Sequence, residues 1–190
     1  MVRGRRTFME KKNNKGFSLI EIIVALAIMG LCVAGAVSLY SSLSGAKVNS
    51  AATKLDSQLS LTRTNTLTKK GDWILEVNKT SGKYYAILFY DGDGTGWEEF
   101  KKVELGDAGS IDIKYTKVIY DATSGTTTKT PGVAINTVPM IIGYDNGSGA
   151  CVAVTTHGVT NYYVGDITIT DGKKTREISI TRATGKHYLD

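Results

Sequence analysis

Proline, cysteine and histidine each occur only twice among 190 residues. Each scarcity closes off a class of protein. Two cysteines cannot build a disulfide framework. Cys32 lies inside an apolar run and Cys151 far away in a polar region, so no bridge between them is expected. If the folded part works outside the cell, it does so without an internal disulfide. His157 and His187 lie in no nucleophile or metal motif. His157-Gly158 reads as a turn and His187 as part of the tail, so a hydrolase has little support and the chain is not expected to be an enzyme. Proline is absent before Pro131, while glycine is plentiful at 21 residues. That balance suits a strand-rich domain with tight turns. A hydrophobic fraction of 42% excludes a disordered chain.

The net charge is +5 and the pI about 9.1. Such a balance ordinarily raises nucleic acid or an anionic membrane as a partner. Its distribution argues otherwise. Residues 1–16 hold Arg3, Arg5, Arg6, Lys11, Lys12 and Lys15 against Glu10 alone, which accounts for the whole +5. The other 174 residues carry 17 charges of each sign. The basic character therefore belongs to a short leader.

From Ile22 to Ala46 the chain has no charge for 25 residues. As a helix this stretch would be about 37 Å long, enough to cross a bilayer core. Positive flanks stay cytoplasmic, so the remainder is expected on the outer side. A signal anchor or a cleaved secretory signal would share these features, and Ala34-Gly35-Ala36 could serve as a cleavage site for the latter. Glu21 does not fit the plain anchor. A carboxylate within a membrane helix costs about 2.5–3.5 kcal/mol at the centre. It needs a partner, or else a hydrated place at headgroup depth.

Lys15-Gly16-Phe17-Ser18-Leu19-Ile20-Glu21, with the basic leader before it and the apolar run after it, resembles the class III signal of type IV prepilins and type II secretion pseudopilins. The resemblance implies that a membrane-embedded prepilin peptidase cuts between Gly16 and Phe17. It implies N-methylation of the new Phe17 amine. It gives Glu21 the role of a salt-bridge partner to the N-terminal amine of a neighbouring subunit. A buried carboxylate is tolerated opposite a cation, and such a pair can also set subunit register. Many major pilins of this kind have a proline where Ser38 stands, which favours a minor subunit over a major pilin.

Beyond the apolar run, Val48, Ala51, Ala52, Leu55, Leu59, Thr62 and Thr66 recur at three- and four-residue steps. Lys47, Lys54, Asp56, Arg63, Lys69 and Lys70 fall mostly off that stripe. The pattern predicts an amphipathic helix ending near Lys70-Gly71, with basic residues in its last turn and Gly71 as its cap. One helix of about fifty residues is expected, apolar all round in its first half and one-sided in its second.

After Gly71 the period shortens. Residues 73–77, 84–90, 111–120, 140–144, 151–155, 162–170 and 176–181 read as about seven strands. Asp91-Gly92-Asp93-Gly94, Asp145-Asn146-Gly147 and Asp171-Gly172 are turn signals. Residues 123–130 read as a polar exposed loop. The expected organisation is a cleaved leader at 1–16, a transmembrane and assembly segment at 17–45, an amphipathic segment at 46–71 and a β-rich head at 72–190. The fold class is α+β, a long N-terminal helix packed on an antiparallel sheet or two small sheets.

The head carries a looser likeness. Ala86–Tyr90 runs into Asp91-Gly92-Asp93-Gly94-Thr95-Gly96-Trp97-Glu98-Glu99, and the chain closes with Arg176–Thr181 and Ala183-Thr184-Gly185-Lys186. This is similar to GspH/FimT-type minor pseudopilins, with Lys186 where an Arg usually stands and without a Trp-x-x-Gly-Trp ahead of the strand.

Two further candidate sites follow from residue type. Asp91-x-Asp93-x-Thr95-Gly96 has the opening of a calcium loop, with Glu98 and Glu99 nearby. Position twelve of such a loop would be Lys102, which cannot ligate, so a plain Asp-Gly turn is preferred and no cofactor is expected beyond this calcium candidate. Lys173, Lys174, Arg176, Arg182 and Lys186 form a mild basic excess near the C-terminus. Phosphate neutralisation needs several convergent cations, so a solvated strand face is preferred and nucleic acid is not expected as a partner.

The expected function is that of a minor pilin or pseudopilin of a type IV pilus or type II secretion fibre. Its partners would be other such subunits, the prepilin peptidase, the inner-membrane assembly platform and, before assembly, membrane lipid. It would be single-pass in the inner membrane, N-in and C-out, and then part of a surface or periplasmic fibre. The alternatives are a major pilin and a signal-anchored binding domain that never assembles.

Overall fold

The computed structural model describes residues 18–121, 123–136, 138–154 and 162–190, with the backbone alone for 35–44. It is α+β. The helix α1 runs Leu19–Thr68. Ten strands follow among the described residues: β1 Asp72–Thr80, β2 Lys83–Asp91, β3 Glu98–Asp107, β4 Asp112–Asp121, β5 Thr126–Ala134, β6 Met140–Tyr144, β7 Cys151–Val152, β8 Tyr163–Thr170, β9 Thr175–Ile180 and β10 His187–Leu189. The chain divides into two compact units, residues 1–40 and 41–190.

Within the second unit the strands form two antiparallel five-stranded sheets, ordered β3-β2-β1-β6-β7 and β10-β9-β8-β4-β5. Ten strands in two sheets replace the seven expected. The expectation passed over β3, β5 and β10. In β3, Glu98-Glu99-Phe100-Lys101-Lys102 hides the alternation under charge. In β5, threonines read as loop, yet the strand begins at Thr126. Threonine is β-branched and suits an extended backbone as well as valine does. His187 lies in β10 rather than in a loose tail.

The helical stripe meets its expectation. Val48, Ala51, Ala52, Leu55, Leu59, Thr62 and Thr66 are all buried. Fully burying each of the two leucines contributes about 1.5–3 kcal/mol. The threonines enter the core because each hydroxyl bonds back one turn: Thr62 Oγ1 donates to the Gln58 carbonyl at 2.7 Å, and Thr66 Oγ1 to that of Thr62 at 2.9 Å. The helix stops at Thr68, short of Lys70, and has no basic residue in its last turn. Gly71, with φ of 91°, then turns the chain into β1.

Strand patterns follow exposure. β1 and β6 are central in their sheet, and residues 73–77 and 140–144 are buried without alternation. In the other sheet Ile113, Tyr115, Ile167, Ile169, Ile178 and Ile180 alternate inward. Leu75 faces Leu88 on one side and Ile142 on the other. The β1–β2 hairpin closes through Ser81 and Gly82, both at positive φ, the two-residue turn whose twist matches paired strands. Both cysteines are free thiols. Cys151 is in the core, where burial pushes its thiol up to about 11.

Polar side chains of α1 fasten strand ends within this unit. Lys54 Nζ donates to the Glu104 carbonyl at 2.9 Å. Arg63 donates to the Thr184 carbonyl from Nη2 at 2.9 Å and from Nε at 3.1 Å, and Nε also reaches Gly149 O at 3.3 Å. Arg176 Nε donates to Asn49 Oδ1 at 2.8 Å.

Candidate functional site

The first unit contributes the start of α1. Ser18 precedes the first helical residue, and its backbone N–H donates to Glu21 Oε2 at 3.2 Å. The Glu21 N–H donates to the Ser18 carbonyl at 3.0 Å. Ser-Leu-Ile-Glu is thus a Ser-x-x-Glu helix start, in which the first-turn acid three residues on reaches back to an otherwise unsatisfied donor. The Ser18–Glu21 spacing is present in the sequence, where the same residues also belong to the signal resemblance. The carboxylate also favours the positive end of the helix dipole.

On both sides of Glu21 the described side chains of this segment are apolar all round the helix. Leu19, Ile20, Ile22, Ile23, Val24, Leu26, Ile28, Met29, Leu31 and Val33 are all more than half exposed. A helix that is apolar all round belongs inside something. At about 1.5–3 kcal/mol for each large apolar side chain buried, ten such residues represent a large driving force towards lipid or protein. Among the described residues no helix is long and apolar enough to cross a membrane. The expected span at 17–45 includes residue 17 and the side chains of 35–44, which lie outside what the structure describes. Gly16 and Phe17, the cleavage and methylation positions, lie outside the described residues.

The loop between β2 and β3 is closed on itself. Asp91 Oδ1 accepts from the Gly94 N–H at 2.7 Å. Asp93 Oδ1 accepts from the Thr95 hydroxyl at 2.6 Å and its N–H at 3.1 Å. Glu98 and Glu99 continue as the first two residues of β3, opposite Tyr90 and Phe89. The four acids are spread along a turn and a strand. Among the described residues no group of three or more His, Cys, Asp or Glu side chains is placed to hold a metal ion.

The C-terminal cations are also dispersed. Lys173 and Lys174 sit in the β8–β9 turn, where their N–H groups bond Asp171. Arg176 is engaged with Asn49. The Arg182 guanidinium lies 4.6 Å from the Tyr163 ring centre and 5.2 Å from that of Tyr120. Lys186 is in the turn before β10. Neighbours already occupy the two arginines.

One cluster has no signature in the sequence, because His187 is 127 residues from Ser60 and 131 from Asp56. His187 Nε2 lies 3.0 Å from Ser60 Oγ and 3.4 Å from Asp56 Oδ1. Its Nδ1 is buried without a partner. A nucleophilic relay needs the hydroxyl and the carboxylate on opposite ring nitrogens. Here both meet Nε2, an arrangement that ties β10 to α1.

Three turn aspartates have carboxyls held below the usual range by hydrogen bonds. Asp93 is held by Thr95, Asp121 chiefly by the Ser124 hydroxyl, and Asp145 chiefly by the Ser148 hydroxyl. A depressed acid stabilises the fold above its unfolded pKa, 3.8, and that stability is lost as pH falls through the lower folded value. Melting temperature should hold from about pH 5 to about pH 4 and fall below it. The fall should be shallower in Asp145→Asn. A melting temperature unchanged down to about pH 2 would contradict this account.

Comparison with known proteins bears on the helix start. Residues 11–37 match the family model of the prokaryotic N-terminal methylation motif. The match spans the Gly16–Phe17 junction, the Ser18–Glu21 helix start and the apolar residues after them. The chain therefore carries a prepilin-type signal at its N-terminus. No curated protein and no solved structure matches the chain.

Proposed function

We propose that the chain is a structural subunit, a minor pilin or pseudopilin of a type IV pilus or type II secretion fibre. The observation that carries this reading is the methylation motif at residues 11–37, coinciding with a helix start and an apolar surface exposed on all sides. The leader would hold the N-terminus inside while the apolar segment parks in the inner membrane. Prepilin peptidase would cut between Gly16 and Phe17, and the Phe17 amine would be methylated. The subunit would then pack with others through residues 17–43. The capped carboxylate of Glu21 supplies the anion that a neighbour's amine would meet. The head is read as non-catalytic, with a GspH/FimT-like closing turn at Gly185-Lys186.

Mass spectrometry of the chain purified from its native membrane tests this. The expected N-terminus is methyl-Phe17. An intact leader would support a signal-anchored domain that does not assemble, and a terminus after Ala36 would support a secretory signal. Low abundance in sheared fibres would mark a minor subunit, and high abundance a major pilin.

A further inference from the structure

Four strands end the two sheets, and three of those edges are blunted. β7 has two residues and β10 three. β3 is long, but Glu98, Glu99, Lys101 and Lys102 stud it, and Lys54 occupies its Glu104 carbonyl. Short length, edge charges and covered backbone groups are the ordinary protections against strand pairing.

β5 lacks them. It is nine residues long and ends the order β10-β9-β8-β4-β5, so half of its backbone donors and acceptors point away from β4. Every residue from Thr126 to Gly132 is exposed. Gly125, at φ of 69°, bounds the open stretch on one side, and Pro131, which has no N–H, bounds it on the other. Between them lies Thr126-Thr127-Thr128-Lys129-Thr130, four threonines of strong strand preference and one charge.

We infer that this edge pairs antiparallel with the same strand of a second copy, centred on Thr128. That register alone pairs all five residues of the open stretch with one another; centring on Thr127 would leave Thr130 outside the stretch and set Lys129 opposite Gly125. Thr126 falls opposite Thr130, Thr127 opposite Lys129, and Thr128 opposite its own copy. Lysine never meets lysine directly, and the other pairs are Thr–Thr, which favour a sheet. A shift of one residue towards the C-terminus places Lys129 opposite Lys129, the destabilising arrangement. Two five-stranded sheets then become one ten-stranded sheet across a two-fold axis. Five paired residues cover less area than the roughly 1,200 Å² of a stable free-standing complex. The pairing is therefore a lateral contact between copies already held close, as burial of the exposed apolar residues of α1 against one another would hold them. It requires neither leader cleavage nor methylation, so its test is independent of the proposed function.

Disulfide trapping reads the register. The full-length chain in detergent micelles, with Cys32→Ser, is oxidised and run without reductant. Thr128→Cys should give a covalent dimer several-fold above Lys186→Cys, an exposed position away from β5. Thr126→Cys and Thr130→Cys should each stay monomeric alone and cross-link when mixed. All these positions are exposed, and circular dichroism checks each variant for folding. A Thr128→Cys yield no higher than that of Lys186→Cys would overturn the pairing. So would equal cross-linking of Thr126→Cys alone and in the mixture.

Discussion

Replacing Glu21 with alanine should abolish incorporation of the chain into fibres while leaving cleavage at the Gly16–Phe17 bond intact. Two physical roles meet in this carboxylate, and they differ in size. As a helix start it accepts from the Ser18 N–H, a contribution of about 1 kcal/mol. As the partner of a neighbour's amine in an apolar interface it would matter far more. Removing one member of a buried pair costs about 3–5 kcal/mol, because the other charge is left uncompensated. That range corresponds to a loss of roughly a hundred-fold to several thousand-fold in partition into the fibre. Glu21→Gln separates the roles. Glutamine retains an oxygen for the Ser18 N–H but no charge. If the charge pair governs assembly, the glutamine variant fails as the alanine variant does. Immunoblots of sheared fibres against membranes measure the ratio. Normal fibres containing Glu21→Ala would contradict the proposed role, and full rescue by glutamine would leave only the cap.

What was legible in the sequence depended on how local the physics was. The stripe from Val48 to Thr66 was readable because burial on a helix repeats every three to four residues and nothing distant disturbs it. Turns at Asp91–Gly94, Asp145–Gly147 and Asp171-Gly172 were readable because side-chain oxygens bond N–H groups two or three residues on, as Asp145 does to Gly147 and Ser148. β3 and β5 were not. Edge strands bury little, so their residues are chosen by solvent and the alternation disappears. In β5 only Val133 is even partly buried.

Contacts across long separations were beyond reach for a different reason. Nothing near Arg63 announces that its guanidinium will take the carbonyls of Gly149 and Thr184, since backbone acceptors leave no mark on sequence. The same holds for His187 against Asp56 and Ser60. The helix start at Ser18–Glu21 lay between these cases. Its spacing was visible, but the same two residues also belong to the signal resemblance.

Gly185→Ala should be among the most destabilising single substitutions in the head, and its cause is a distant backbone. Gly185 sits at φ of 61°, where an alanine costs about 1–2 kcal/mol. A Cβ there would also run into the Gly149 carbonyl oxygen and come within 2.8 Å of the Tyr144 ring. Neither neighbour can give way easily. Tyr144 is buried against the core, and Gly149 O accepts from Arg63 Nε. The turn itself is pinned, with the Gly185 N–H on the Thr181 carbonyl at 2.8 Å and the Thr181 N–H on that of Lys186 at 2.8 Å. Moving it would pull the Thr184 carbonyl from Arg63 and loosen α1 from the last two strands. Strain and overpacking together should cost about 3–5 kcal/mol. For a chain of this length that lowers the melting temperature by about 10 °C or more. Gly172→Ala is the matched control. Its φ is 86°, but no atom lies within 4 Å of the added methyl, so it should show the backbone penalty alone. Thermal melts followed by circular dichroism compare the two. If Gly185→Ala melts no lower than Gly172→Ala, the close approach of the two turns is not what requires glycine at 185.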